Sequence, residues 1–303
     1  MRYGAGLNTS KPIHEVLEEA KRQAADGFSC LSSSHIFGYD AITLLGVVGL
    51  AVPDVELMTA VVPTYTRHPI AMAQQALTVQ AATDGRFVLG IGLSHQVLVE
   101  AVYGLSFDQP LRAMREYLAV LMPLLRGERV SFQGDTLSVN AGPLEIPTTA
   151  PPVIVAALGT AMLELAGEVA DGTATWMTGP KTLAEHTVPT IQAAAQRAGR
   201  PAPRIMAALP VCVTSDVVAA RNRADEIFAI YGTLPSYRAM LDREGAAGPG
   251  DASIVGDEDA VASVLVELDA AGVTDFSAAP IGSREEIART RELLRGLNAS
   301  QHG

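Results

Sequence analysis

The feature that most constrains this chain is a period. A short apolar run, a turn of glycine or small polar residues, and an amphipathic helix follow one another eight times along the 303 residues. Strands separated by helices in this way cannot be hairpin neighbours. They must run parallel, with the helices packed outside the sheet. Strands are expected at 2–7, 28–33, 56–62, 86–91, 153–157, 173–177, 205–213 and 275–279. The fourth is continuously apolar from Phe87 to Leu89, as a strand covered on both faces should be. Helices are expected between them, among them 41–52, 69–82, 183–198, a long one at 217–243, and 258–271 closed by Gly272. Eight such units predict an α/β fold, a (β/α)8 TIM barrel. An insertion follows strand four, residues 95–151, with a helix at 111–125 and a hairpin of 129–132 and 136–139 turning at Gly134-Asp135. No Pro/Ser-rich linker divides the chain, so one domain, 1–303, is read; a doubly wound open sheet is the alternative architecture.

Charge narrows the partners. Hydrophobic residues make up 48% and charged residues 18%, enough apolar material for a large core and too little charge for disorder. The net charge is −11 with no basic block, which argues against nucleic acid, because phosphate neutralisation needs clustered Lys and Arg. The most apolar helix, 41–52, falls short of the roughly 20 residues a membrane span needs, so no membrane partner is expected. That helix is apolar nearly all round, and is read as core or as a contact with a second subunit. The first residues lack the apolar run of a signal peptide, and a cytoplasmic protein is expected. Cys30 and Cys212 are read as reduced, buried, small apolar residues.

Several familiar motifs fail. Gly90-Ile91-Gly92-Leu93-Ser94-His95 begins like a dinucleotide fingerprint, but His95 stands where the third glycine belongs. Gly92-Leu93-Ser94-His95-Gln96 begins like a nucleophile elbow and lacks its closing glycine. The segment 14–18 has one histidine, not the two of a zinc helix, so no metal is expected. What remains is the set of strand ends, where barrels of this kind carry their chemistry. Strand two ends in Ser34-His35 and strand four in Leu93-Ser94-His95. Strand five ends in Ala157-Leu158-Gly159-Thr160, strand six runs from Trp176 to Lys181, and strand eight reaches Arg284. Polar, small and basic groups converge on one face.

The segment 59–95 contains Thr-Ala-Val-Val-Pro-Thr, Arg67-His68-Pro69, Ala73-Gln74, Asp84-Gly85-Arg86 and Leu89-Gly90-Ile91-Gly92. It resembles the luciferase-like oxidoreductase superfamily, in particular the branch that uses coenzyme F420, a 5-deazaflavin. Supporting stretches are Ala170-Asp171-Gly172, Val255-Gly256-Asp257 and Phe132-Gln133-Gly134, so the likeness spans nearly the whole chain. The resemblance implies that Ser34 lies at the deazaflavin ring and that His35 and His95 are the acid/base candidates. Ala60 and Val61 match a bulge with a non-proline cis peptide against the back of the ring. Leu93 and Ser94 follow the ring edge. Backbone amides around Ala157, Leu158, Gly159 and Thr160 hold the cofactor phosphate, and Thr178 and Gly179 line the ring's other side. Tyr39, Trp176, Lys181 and Arg284 fall on the substrate side, the last two at positions that hold a substrate phosphate in a sugar-phosphate dehydrogenase of this branch. The tryptophan near Tyr39 and the glutamate near His95 of that dehydrogenase are missing here, which argues against a sugar phosphate.

The implied activity is hydride exchange between the deazaflavin and a small organic substrate, with reduction of an activated C=C or C=N bond preferred. A homodimer is implied by the same likeness. The competing readings are an FMN-dependent luciferase-like monooxygenase, a non-catalytic flavin-binding barrel and, more distantly, a hydrolase using Ser94.

Overall fold

The computed structural model of the protein describes residues 1–299. Eight parallel strands close on themselves: β1 (Arg2–Gly6), β2 (Cys30–Ser33), β3 (Glu56–Thr59), β4 (Phe87–Gly92), β5 (Val153–Ala156), β6 (Gly172–Trp176), β7 (Arg204–Val213) and β8 (Asp275–Pro280). Closure is set by β1 against β8, with Arg2 opposite Asp275 and Ala5 opposite Ala278, and by β1 against β2, with Gly4 opposite Cys30. The sheet is therefore a barrel and not a doubly wound open sheet. Among the described residues no helix is long and apolar enough to cross a membrane.

Side chains on alternate positions fill the inside in layers, as the two-residue strand period requires. At the N-terminal end a charge cluster plugs the barrel. Arg204 donates to both oxygens of Glu56 at 3.1 and 2.7 Å and to both of Asp275 at 3.2 and 2.9 Å, and Arg2 reaches Asp275 at 2.5 Å. The middle layer is apolar: Cys30, Met58, Val88, Ile154, Ala174 and Met206. The upper layer is built of small groups. Gly6 is exposed, and Ala156, Ala208 and Ala279 are partly exposed on faces otherwise buried, which leaves a shallow cup at the C-terminal mouth.

The structure redraws four predicted elements. Strand three stops at Thr59, passes through a cis Ala60–Val61 peptide, and resumes as Val62–Pro63 beside β4. The helix predicted at 183–198 starts earlier, at Pro180, and contains a π turn at Leu183–Thr187 before Val188–Arg197. The long helix predicted at 217–243 is three: Val217–Ile227, Ala229–Thr233 and Pro235–Glu244. Pro235 disfavours a continuous helix, since it lacks the N–H and its ring crowds the preceding turn, and it stands instead at the first position of the third helix. The strands of the insertion hairpin lie one to two residues later than expected, at Val130–Gln133 and Ser138–Ala141. Glu116 ties that hairpin to the Pro110–Leu125 helix. It accepts from the N–H groups of Asp135, Thr136 and Leu137 and from the Thr136 hydroxyl, and these donors hold its carboxyl at about 2.

Truncating Arg204 would leave Glu56 and the buried Asp275 facing each other with only the more exposed Arg2 as a cation. Arg204→Ala is expected to lower unfolding free energy by about 3 kcal/mol. Denaturant melts of the two proteins check this; equal midpoints would show that the plug is not structural.

Candidate active site

The floor of the cup is made by the interruption of strand three. The Thr59 hydroxyl donates to the Gly90 carbonyl and accepts from the Gly90 N–H, both at 2.8 Å, replacing the ladder bonds lost where the chain bulges. A Cβ at Gly90 would lie 1.8 Å from the Thr59 carbonyl oxygen, and one at Gly92 would lie 2.8 Å from Val61 and 3.2 Å from Ala156. The two glycines that looked like the start of a nucleotide motif instead make room for Ala60 and Val61. Both bulge residues are partly exposed and pack on the interior apolar layer.

Two histidines stand beside this floor. The Ala41 N–H donates to Nδ1 of His35 at 3.3 Å, so the ring hydrogen resides on Nε2. Asp40 lies 3.6 Å from Nδ1, too far for a hydrogen bond, and pairs instead with Arg67. Burial, and then the Arg67 guanidinium, push the His35 imidazole below its ordinary value, against a weaker pull from Asp40. Ser34, next to it, is exposed.

His95 begins the short Gln96–Ala101 helix, and burial lowers its imidazole too. Its ring stands edge-on to Tyr237 at 5.6 Å and to Tyr231 at 6.4 Å. Those tyrosines continue to Trp176 and Phe228 through ring contacts of 4.8 to 5.9 Å, making one aromatic wall. Burial raises both phenols, so the wall is uncharged at neutral pH. Tyr231, Tyr237 and Phe228 come from the segment after β7 and were not singled out in the sequence. Broken helices at a barrel's C-terminal face were the available signal, and Pro235 carried it. Before His95, Leu93 packs against the core, and Ser94 is left-handed at φ 63°. Met177, one residue past β6, is left-handed at 54°. Non-glycine residues in that region gather at functional turns.

On the next loop, Gly159 precedes the Thr160–Val169 helix with no side-chain cap. Gly159, Thr160 and Ala161 are exposed, and a Cβ at Gly159 would meet nothing. The N–H groups of a helix start, facing outward, make an anion seat without any positive side chain. Ala157 is buried, and the Leu158 carbonyl lies 2.8 Å from Nε2 of His186. His186 sits in the π turn, a local irregularity common near functional sites, and sequence reasoning passed over it.

The remaining candidates scatter. Thr178 is buried and donates to the Trp176 carbonyl at 3.3 Å, with Gly179 following it. Tyr39 donates to the Lys11 carbonyl at 3.2 Å, which ties its hydroxyl to the backbone. Arg284 is exposed at the start of the last helix, and the Lys181 side chain is exposed as well. The backbone N–H groups of Lys181 and Thr182 both donate to Glu244, at 3.2 and 2.8 Å.

A (β/α)8 barrel with an interrupted third strand, a small-residue cup and an open anion seat after strand five defines the class. Residues 1–298 match the family described as luciferase-like monooxygenase, and the chain belongs to that family. It is 30% identical over 258 residues to the 5,10-methylenetetrahydromethanopterin reductase of Methanolobus tindarius, covering 84% of this chain and 78% of the relative. Among solved structures it resembles the coenzyme F420 dependent tetrahydromethanopterin reductase of Methanopyrus kandleri, with a TM-score of 0.83 and 22% identity over 99% of both chains. The EDTA monooxygenase of Chelativorans sp. BNC1 shares the fold at a TM-score of 0.82 and 15% identity, covering 99% of this chain and 94% of that one.

Both mouth histidines are pushed below the ordinary 6.5. The unfolded chain therefore binds these protons more readily than the folded one. Their contribution leaves stability unchanged above about pH 6.5 and lowers it as pH falls from there through the folded values. Ring-proton titrations by NMR should give midpoints below 6.5 for His35 and His95; a midpoint above it would contradict this electrostatic picture.

Proposed function

We propose that this protein is a coenzyme F420-dependent oxidoreductase that reduces an activated C=C or C=N bond of a small organic substrate. The observation that carries the reading is the cup itself. Its floor is apolar and built of small side chains, formed by the Ala60–Val61 bulge and the glycine and alanine positions above the apolar layer. It lies on the same face as the open helix start at Thr160. A planar tricyclic ring with a phosphate-bearing tail fits that pairing of features. The likeness to reductases of the family, one of them named as dependent on this coenzyme, supports it.

When bound, the reduced deazaflavin supplies a hydride from a ring carbon. The chain's own residues do the rest. Ala60 and Val61 support the ring from behind. Leu93 and Ser94 follow its edge, while Ser34, Thr178 and Gly179 line its sides. The amides at Gly159 and Thr160 hold the phosphate, with Leu158 kept in place by His186. His35, neutral and hydrogen-bearing at Nε2, would hydrogen-bond the substrate atom that gains electron density, while the proton that completes the reduction is taken up from solvent. At neutral pH such a group offers a hydrogen bond, not a proton. Its lone pair on Nδ1 is already engaged by the Ala41 N–H, which fixes the ring's orientation. His95 and the aromatic wall bound the substrate side and keep water away from it. A homodimer belongs to this reading, supported by Val47 and Leu50, which lie exposed on the strongly apolar Ala41–Ala51 helix.

The test is anaerobic turnover of reduced F420 against cyclohexenone and cyclic imines. His35→Ala is expected to lower kcat about 10²- to 10⁴-fold with F420 affinity unchanged. Undiminished turnover in that variant would remove His35 from the chemistry. Reduction of the oxidised coenzyme by sugar phosphates would overturn the substrate assignment.

A further inference from the structure

We propose that Arg67 is a positioning residue for His35: by claiming the Asp40 carboxylate it keeps Nδ1 bare of hydrogen, so that the ring's one N–H, on Nε2, is left for the substrate. The word substrate rests on the function proposed above; the arrangement of the three side chains is a matter of geometry alone.

The contest is over Asp40. This residue caps the Ala41–Ala51 helix, and its Oδ1 accepts from the N–H and the hydroxyl of Thr43, both at 2.9 Å. Its other oxygen, Oδ2, lies 3.6 Å from Nδ1 of His35 and accepts a hydrogen bond from a terminal nitrogen of Arg67. A carboxylate that close to an imidazole ordinarily takes the hydrogen of Nδ1, which turns Nε2 into an acceptor. Here the guanidinium holds Oδ2. Nδ1 instead accepts from the Ala41 N–H at 3.3 Å, and the neutral ring carries its hydrogen on Nε2. Among the described residues Nε2 has no hydrogen-bond partner.

Two helices keep Arg67 at this post. Its side chain is 15% exposed, and its Nε donates to Oε1 of Gln75 at 3.2 Å, on the Pro69–Ala82 helix. Its backbone carbonyl accepts from the Tyr117 hydroxyl at 3.0 Å, on the Pro110–Leu125 helix of the insertion. The neighbouring His68 is engaged elsewhere, capping the Pro69–Ala82 helix by accepting from the Ile70 N–H at 3.3 Å. Among the described residues, Asp40 and Arg67 are the charges that act on His35. Burial and Arg67 lower the ring's affinity for a proton, and Asp40 raises it.

The consequence is a choice of substrate atom. A ring with its hydrogen on Nε2 and its Nδ1 engaged can only donate to what arrives. The atom that meets it must carry a lone pair, as a carbonyl oxygen or an imine nitrogen does, and gains negative charge as hydride reaches carbon. An imidazole bonded through Nδ1 to a released Asp40 would present a bare Nε2 instead, which suits removal of a proton from an alcohol or amine. Arg67 decides which of the two a substrate meets.

The test reads the ring itself and needs no turnover. Nitrogen-15 NMR of the full chain, labelled at histidine, gives the tautomer and the titration midpoint of His35, with His35→Ala to assign its signals. The wild type should carry hydrogen on Nε2 and titrate below 6.5. In Arg67→Gln, with Asp40 released, the hydrogen should move to Nδ1 and proton affinity should rise at least about tenfold. Adding Asp40→Asn, which keeps the helix cap, should bring the midpoint back below 6.5. A wild-type ring with its hydrogen on Nδ1 would overturn the proposal, and this measurement carries the test if Arg67→Gln does not fold. So would a folded Arg67→Gln protein whose His35 keeps the wild-type tautomer and midpoint. A double variant that keeps the raised midpoint would also overturn it, by tracing the effect to the guanidinium charge alone. Turnover of reduced F420 is assayed in parallel: its absence in the wild type would count against the function proposed above and leave the NMR result to judge Arg67.

Discussion

Everything at the mouth of this barrel depends on one close approach, that of the Thr59 carbonyl to the α-carbon of Gly90. With no side chain at Gly90, strand three can swell inward and hand its lost ladder bonds to the Thr59 hydroxyl. Any Cβ there would sit on the carbonyl oxygen. The bulge that results presents Ala60 and Val61 as a partly exposed apolar surface, and Gly92 leaves room for Val61 beside Ala156. Below it lie the apolar layer and the Arg204 cluster, with a small cavity between them lined by Gly4, Cys30, Met58 and Met206.

Around that platform the electrostatics are made by backbone more than by side chains. A chain of net charge −11 can still hold an anion, because the helix start at Thr160 brings partial positive charge without a lysine. His35 and His95 are kept neutral by burial, and the tyrosines stay protonated for the same reason. The result is a mouth with one uncapped helix start at Thr160, one capped by Glu244, and neutral histidine and aromatic groups.

Much of this could be read in the residues. The eightfold alternation gave the barrel, and the apolar run at Phe87–Leu89 gave a strand covered on both faces. Gly90 and Gly92 were legible as positions of close approach, since no side chain can intrude there. The cis bond at Ala60–Val61 came from resemblance and not from spacing. Other features depend on contacts between distant segments, which periodicity cannot express. Nothing in residues 217–243 announces that Tyr231 and Tyr237 will meet His95, although Pro235 does announce a break. Nothing near Glu244 announces that its partners are the amides of Lys181 and Thr182, 62 to 63 residues earlier. The exposed ammonium of Lys181 is visible in sequence, but the carboxylate that claims its helix start is not.

The central claim is that the cup receives a deazaflavin. The most direct measurement is a paired fluorescence titration of the purified protein with coenzyme F420 and with FMN. The account predicts saturable F420 binding at least about tenfold, or ~1.4 kcal/mol, tighter than FMN binding. Tighter binding of FMN would move the protein to the oxygen-using side of its family. Binding of neither would leave the barrel standing and contradict the account of its mouth.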